Sequence, residues 1–147
     1  MIQLTKYILE SINKTYVNMI VISPDNEILI LRRSNYMKKF KSLWGFPGGS
    51  VENKDKDNKA AAIRELKEET AIELTFNEEA GCKLFDKITN KDNIISEYYI
   101  VKLEAKREVK ISNEHSKYEW YHYEKKDDRV YRWMPSIFEL IQRYYQE

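Results

Sequence analysis

"GGSVENKDKDNKAAAIRELKEETAI" runs from Gly48 to Ile72. It opens on a glycine pair, crosses a polar run and ends in a block of charge. There Arg64, Glu65, Lys67, Glu68 and Glu69 surround Leu66. Residues 58–70 favour a helix by propensity, led by Ala60, Ala61 and Ala62. At about 100° per residue, with Ala62 as origin, Leu66 falls at about 40°, Thr70 at about 80° and Ile63 at about 100°. That arc is the predicted packing face. Glu69 falls at about 340°, Glu65 at about 300° and Glu68 at about 240°, so the three acids share one ridge beside the buried arc. Lys67, at about 140°, points away from them.

This arrangement is poor for a helix standing alone. Like charges three and four residues apart repel by about a few tenths of a kcal/mol per pair. The C-terminal half of a helix also disfavours anions through its macrodipole. A hard divalent cation reverses the sign of both effects. Mg²⁺ and Mn²⁺ take carboxylate oxygens, and Mg²⁺ is commonly shared with substrate phosphates. The plainer alternative is a solvated acidic face offset by Arg64 and Lys67. The chain has four glycines, and Gly45, Gly48 and Gly49 crowd into one short stretch. That predicts either a positive φ or a close backbone approach there. A glycine loop feeding a helix can present backbone groups to phosphate or metal.

Around this segment the pattern is that of one mixed α/β domain covering residues 1–147. "VNMIVIS" (17–23) and "EILILRR" (27–33) are β-branched runs joined by Pro24-Asp25-Asn26, a predicted hairpin. "CKLFDKIT" (82–89) and "ISEYYIVKLEAK" (95–106) flank the turn "NKDN" and predict a second hairpin. "ELTFN" (73–77) and "KYEWYHYE" (117–124) read as further strands. Helical spacing appears at 3–12 and again at 135–147, which begins with Pro135 and Ser136.

Composition narrows the function. A net charge of +1 argues against a broad electrostatic surface for nucleic acid, so an RNA or DNA partner is not favoured. No apolar run reaches the roughly 20 residues a membrane span needs. Cys82 is the sole cysteine, so a reducing, cytoplasmic setting is the simplest expectation.

"GFPGGSVE…AAAIRELKEETAI" resembles the signature of the Nudix hydrolases, whose pattern is G-x5-E-x7-R-E-U-x-E-E-x-G-U with U bulky and aliphatic. The second half matches at Arg64-Glu65-Leu66-Lys67-Glu68-Glu69-Thr70 and Ile72. The resemblance implies an α/β/α sandwich with a mixed β-sheet between helices. It also implies a pyrophosphohydrolase in which water attacks phosphorus with Mg²⁺ or Mn²⁺ as cofactor. By position, Glu68, Glu69 and the carbonyl of Gly48 would hold metal. Glu65 would be a ligand or the general base, and Arg64 would orient the glutamates. Glu114 would be the additional late acid, with Glu119 and Glu97 as rivals. The implied substrate is a free nucleotide derivative, such as a nucleoside triphosphate or nucleotide sugar, and a homodimer is a common arrangement among relatives. Two other readings compete: a decayed module that binds nucleotide or RNA without turnover, and an enzyme for RNA 5′ ends or caps.

Two departures bear on activity. From Gly49 to Arg64 the chain is one residue longer than the pattern, so the first-half glutamate is replaced by Asp55, or by Lys56 when counted back from Arg64. The closing glycine is Ala71, which implies a helix exit that does not need positive φ or tolerates some strain. Weaker candidates are Arg32 or Arg33 facing substrate phosphates, Trp44, Phe46 or Trp120 stacking on a base, and His115 as an acid or base. Surface or core placement is the simpler reading of each.

Overall fold

The computed structural model describes residues 14–35, 43–122, 139 and 141–143. The predicted N-terminal helix at 3–12 lies outside these residues. So does most of the one at 135–147, although 139 and 141–143 are helical.

Seven strands form one mixed sheet: β1 (Thr15–Ile22), β2 (Glu27–Arg33), β3 (Trp44–Gly45), β4 (Gly48–Ser50), β5 (Lys83–Thr89), β6 (Ile95–Lys102) and β7 (His115–His122). The order is β3-β2-β1-β6-β5, with β4 on β1 and β7 on β2. The β1–β6 pair is parallel over its whole length, and the other pairs are antiparallel. The helices α1 (Asn58–Thr70) and α2 (Phe76–Gly81) fall between β4 and β5.

Strand alternation divides the core in two. Val17, Met19, Val21, Leu29, Leu31, Tyr99 and Val101 pack on one face against Ala61, Ala62 and Leu66 of α1. Ile20, Ile22, Ile28, Ile30 and Ile100 pack on the other with Trp44, Phe46, Tyr98, Tyr121 and Ile141. The two predicted hairpins form, and α1 spans the predicted residues. The hairpin of β1 and β2 stays closed only near its turn, at Ile22↔Ile28. Beyond that, β4 takes over as partner of β1, and β3 and β7 as partners of β2. The wedge between the diverging strands becomes the cleft described below.

One predicted strand is wrong. Residues 73–77 form no strand; Phe76–Gly81 is a short helix capped by Thr75. The Thr75 Oγ1 accepts from Glu78 N–H (3.1 Å), and Glu78 Oε1 accepts from Thr75 N–H (2.9 Å), a reciprocal capping box. Local capping outweighed the β-propensity of Leu74, Thr75 and Phe76.

The exit of α1 resolves the Ala71 question. Ala71 lies in the left-handed region (φ 61°, ψ 14°), and its N–H donates to the Lys67 carbonyl. The turn is left-handed and places a Cβ where glycine is strain-free.

Candidate active site

Helical geometry grades the burial of the three acids. Glu69, nearest the packing arc, is 4% exposed. The Glu65 side chain is 13% exposed, and that of Glu68, farthest round the wheel, is 51% exposed. The packing that fixes Leu66 and Thr70 therefore drags Glu69 out of water. Burial pushes its carboxyl up to about 8; the Glu65 and Glu114 charges act in the same direction, against the Gly48 N–H and Arg33. Burial also raises Glu65, reinforced by Glu68 and Glu114 and opposed by Arg64.

The glycines sit where a backbone must approach these acids. Met19 N–H donates to the Pro47 carbonyl and Val51 N–H to the Thr15 carbonyl, which turns both the N–H and the carbonyl of Gly48 away from β1. The Gly48 N–H then donates to Glu69 Oε2 at 3.0 Å. A Cβ on Gly48 would run into the Val17 carbonyl, and one on Gly49 would lie 2.5 Å from Glu65 Oε1. Close approach is the requirement; among the described residues no glycine has positive φ.

Arg64 binds the ridge together. Its Nη1 donates to Glu65 Oε1 (3.1 Å) and to both oxygens of Glu68 (3.2 and 3.1 Å), and its Nη2 to the Ser50 carbonyl (3.1 Å). Asp55 holds Arg64 in turn. Its Oδ1 accepts from Nε at 2.8 Å and its Oδ2 from Nη2 at 3.0 Å, and its side chain is 4% exposed. Of the two residues that stand where the pattern has its first-half glutamate, Asp55 and not Lys56 pairs with Arg64. The extra residue in the loop is absorbed before α1, where loop length costs little.

A cleft of about 860 Å³ brings Gly48, Glu65, Glu68, Glu69 and Glu114 together, with Arg33, Trp44, Phe46 and His115. Glu114 sits on a turn fixed from two sides. Ser34 N–H donates to the Glu114 carbonyl (2.9 Å) and Ser34 Oγ to the Asn113 carbonyl (3.0 Å). Ser112 N–H donates to the Glu69 carbonyl (3.0 Å). The rival acids lie elsewhere. Glu119 pairs with Ile30 and so faces the other side of the sheet from α1. Glu97 accepts from Asn58 Nδ2 and the Tyr99 hydroxyl, both at 2.9 Å, about two turns of α1 away from Glu65.

Of the weaker candidates, Arg33 lines the cleft and Arg32 does not. Trp120 packs against the α1-side core under Lys106. Burial pulls His115 down to about 4, with Arg33 contributing, so its ring is neutral at neutral pH and cannot donate a proton as imidazolium. Sequence reading missed Ser34, whose bonds to the Asn113 and Glu114 carbonyls come from the fold with no motif to announce them.

The donor set of carboxylates and a backbone carbonyl is chemically suited to Mg²⁺ or Mn²⁺. The raised Glu69 and Glu65 carboxyls fit a cation as well, since a positive charge would relieve their repulsion. Among the described residues no three acidic, His or Cys side chains are gathered tightly enough to grip an ion as they stand. Arg64 instead draws Glu65 and Glu68 toward itself.

A mixed sheet with a glycine strand and an acid-ridged helix across its open wedge defines an α/β domain of the Nudix type. The chain belongs to the Nudix hydrolase family, since the NUDIX domain model matches residues 13–143. Among curated proteins it is similar to Nudix hydrolase NudL, itself uncharacterised. It is 45% identical to the Klebsiella aerogenes protein over 53 residues, 36% of this chain and 44% of that one. To the Escherichia coli (strain K12) protein it is 42% identical over 53 residues, 28% of that protein. The match thus spans less than half of these relatives' length. Among solved structures, the MutT protein from Methanosarcina mazei Go1 superposes with a TM-score of 0.73 at 24% identity, over 91% of this chain and 96% of that one. A bifunctional NMN adenylyltransferase/ADP ribose pyrophosphatase from Francisella tularensis, complexed with AMP and a Mn ion, gives 0.68 at 24% identity, over 97% of this chain and 46% of that one. These likenesses establish the fold. Among the described residues no helix is long and apolar enough to cross a membrane.

Proposed function

We propose that this protein is a metal-dependent pyrophosphohydrolase that cleaves a free nucleotide derivative by direct attack of water on phosphorus. The observation that carries the reading is the ridge of Glu65, Glu68 and Glu69, kept at the mouth of one cleft by Gly48, Arg64 and Asp55 despite its own repulsion. Glu68, Glu69, Glu114 and the Gly48 carbonyl would hold the ion. A bound Mg²⁺ or Mn²⁺ supplies positive charge to the diphosphate and lowers the pKa of water.

The chain's own groups do the rest. Glu65, with a carboxyl raised by burial, accepts the proton of the attacking water. Arg64 fixes the Glu65 rotamer, and the Asp55 pair fixes Arg64. The Gly48 N–H holds Glu69 at the ridge. Arg33, lining the same cleft, faces the anionic part of the substrate. Loss of the first-half glutamate would favour a decayed binding module, but Asp55 preserves the ion pair that residue would make.

The test is a panel of nucleoside triphosphates, nucleotide sugars, dinucleoside polyphosphates, ADP-ribose and capped RNA, assayed with Mg²⁺ and with Mn²⁺. At least one free nucleotide derivative turns over with metal and stops in EDTA, and Glu69→Gln lowers that rate by at least about 100-fold, the loss of more than 2.7 kcal/mol of transition-state stabilisation. Silence across the panel with both metals hands the assignment to the binding module.

A further inference from the structure

The turn that carries Glu114 is fastened through its backbone. His115 N–H closes it onto the Ser112 carbonyl at 3.1 Å, with Asn113 and Glu114 at the corners. Ser112 N–H donates to the Glu69 carbonyl, and Ser34 holds the carbonyls of Asn113 and Glu114. The side chains at its two ends are treated differently. Ser112 Oγ and His115 Nδ1 are both buried with no hydrogen-bond partner among the described residues. A buried polar atom left unpaired is destabilising, so two of them on one well-held turn need a reason.

Ser112 and His115 are the first and last residues of one β-turn, whose ends lie within about 7 Å of each other. A serine hydroxyl turns about a single bond and can both donate and accept. An imidazole at neutral pH is mostly uncharged, with one N–H and one bare nitrogen, and the bond made at one nitrogen decides which is which. Buried N–H groups are left unpaired more rarely than buried acceptors. Nδ1 is therefore the bare nitrogen, placed to accept from Ser112, and the proton sits on Nε2. Nε2 is not buried, and His115 lines the cleft.

The surroundings indicate the ligand. His115 pairs with Arg33 in the β2–β7 ladder, and both line the cleft with Gly48, Glu68 and Glu69. A guanidinium offers donors and no acceptor. A neutral N–H beside it adds a further donor without a second positive charge. Such a wall suits an acceptor-rich anion. We infer that His115 donates its Nε2–H to a phosphate oxygen of the substrate, and that Ser112, by turning its hydroxyl onto Nδ1, fixes the ring in that tautomer. This rests on the hydrolase reading for the presence of a diphosphate in the cleft. His115 is then a substrate-binding residue and Ser112 a positioning residue that acts through it.

Nitrogen-15 NMR of the full chain, labelled at its two histidines, measures the tautomer. His115→Gln identifies the His115 signals by their loss. The wild type shows Nε2 protonated and Nδ1 bare. Ser112→Ala moves the Nδ1 resonance toward that of an unbonded ring nitrogen and leaves Nε2 in place. Calorimetry with imidodiphosphate and Mg²⁺ measures the contact. His115→Ala binds this probe about 10-fold or more weakly, the loss of one hydrogen bond to a charged acceptor. His115→Gln, which keeps a neutral amide N–H at that reach, stays within about threefold of wild type. Should His115→Ala not fold, His115→Phe keeps a ring and lacks the N–H. A proton on Nδ1 in the wild type, an Nδ1 resonance indifferent to Ser112→Ala, or unchanged imidodiphosphate affinity in the variant without the N–H overturns the inference. Each of these leaves metal-dependent turnover intact, whereas a wrong hydrolase assignment shows as a silent turnover panel with the proton still on Nε2.

Discussion

Asp55 grips Arg64 with both carboxylate oxygens, at 2.8 Å to Nε and 3.0 Å to Nη2. This pair joins the loop before α1 to the acid ridge on it, through the bonds Arg64 makes to Glu65 and Glu68. Arg64 also holds the Asp55 carboxyl below the usual carboxylate range. Asp55→Ala frees the guanidinium, and kcat falls by about 10- to 100-fold, as for other residues that orient metal-binding groups. Arg64→Lys fails in the same way, because an ammonium cannot satisfy both oxygens of Asp55 in one plane. Full activity in Asp55→Ala would mean that the loop insertion had replaced the pair by some other means.

The late acids separate by their partners. Glu114→Gln, on the turn in the cleft, lowers kcat. Glu97→Gln instead lowers Tm, since it weakens the bond to Asn58 that ties β6 to the start of α1 and the bond to the Tyr99 hydroxyl within β6. Ser34→Ala removes the hydroxyl that holds the Asn113 carbonyl and lowers kcat severalfold. In a Glu114→Gln background it has no further effect, a coupling that a double-mutant cycle measures.

Ala71→Gly removes a Cβ from a left-handed residue at φ 61°. Urea unfolding shows a gain of about 0.5–1 kcal/mol, with kcat unchanged. An unchanged or lower midpoint would show that unfolded-state entropy offsets the relief of strain.

Glu78 is the buried polar centre of α2. Burial pushes its carboxyl up, but the Thr75 N–H, Arg107 and the Glu104 N–H together hold it below its ordinary value of 4.5. A depressed carboxyl contributes stability fully above the unfolded pKa and loses it as pH falls through the folded one. The Tm gap between wild type and Glu78→Gln is therefore constant near neutrality and closes as pH falls below the ordinary carboxyl value of 4.5. Glu78→Ala costs about 2–3 kcal/mol, since it strands the capping box and leaves Arg107 without its partner.

Much of this was legible in the sequence because it is periodic. The α1 wheel placed Leu66, Thr70 and the three acids, and alternation placed β1, β2, β5 and β6. Arg64-Glu65-Leu66-Lys67-Glu68-Glu69 marked the candidate site by its crowded acids together with its resemblance to the Nudix signature. Residues 73–77 misled because two side-chain to backbone bonds outweighed their β-propensity. The choice between Asp55 and Lys56 needed the fold of the loop, which spacing does not carry. Ser34 was invisible because its place lies in what the chain brings beside it, the Asn113 carbonyl 79 residues on.

The central claim is that the ridge of Glu65, Glu68 and Glu69 exists to hold a divalent ion. A Mn²⁺ titration followed by electron paramagnetic resonance, with a non-hydrolysable pyrophosphate analogue present, measures this directly. The account predicts saturable binding in the wild type, weakened at least tenfold by Glu68→Gln and again by Glu69→Gln. Equal Mn²⁺ affinity in the wild type and both variants would contradict it.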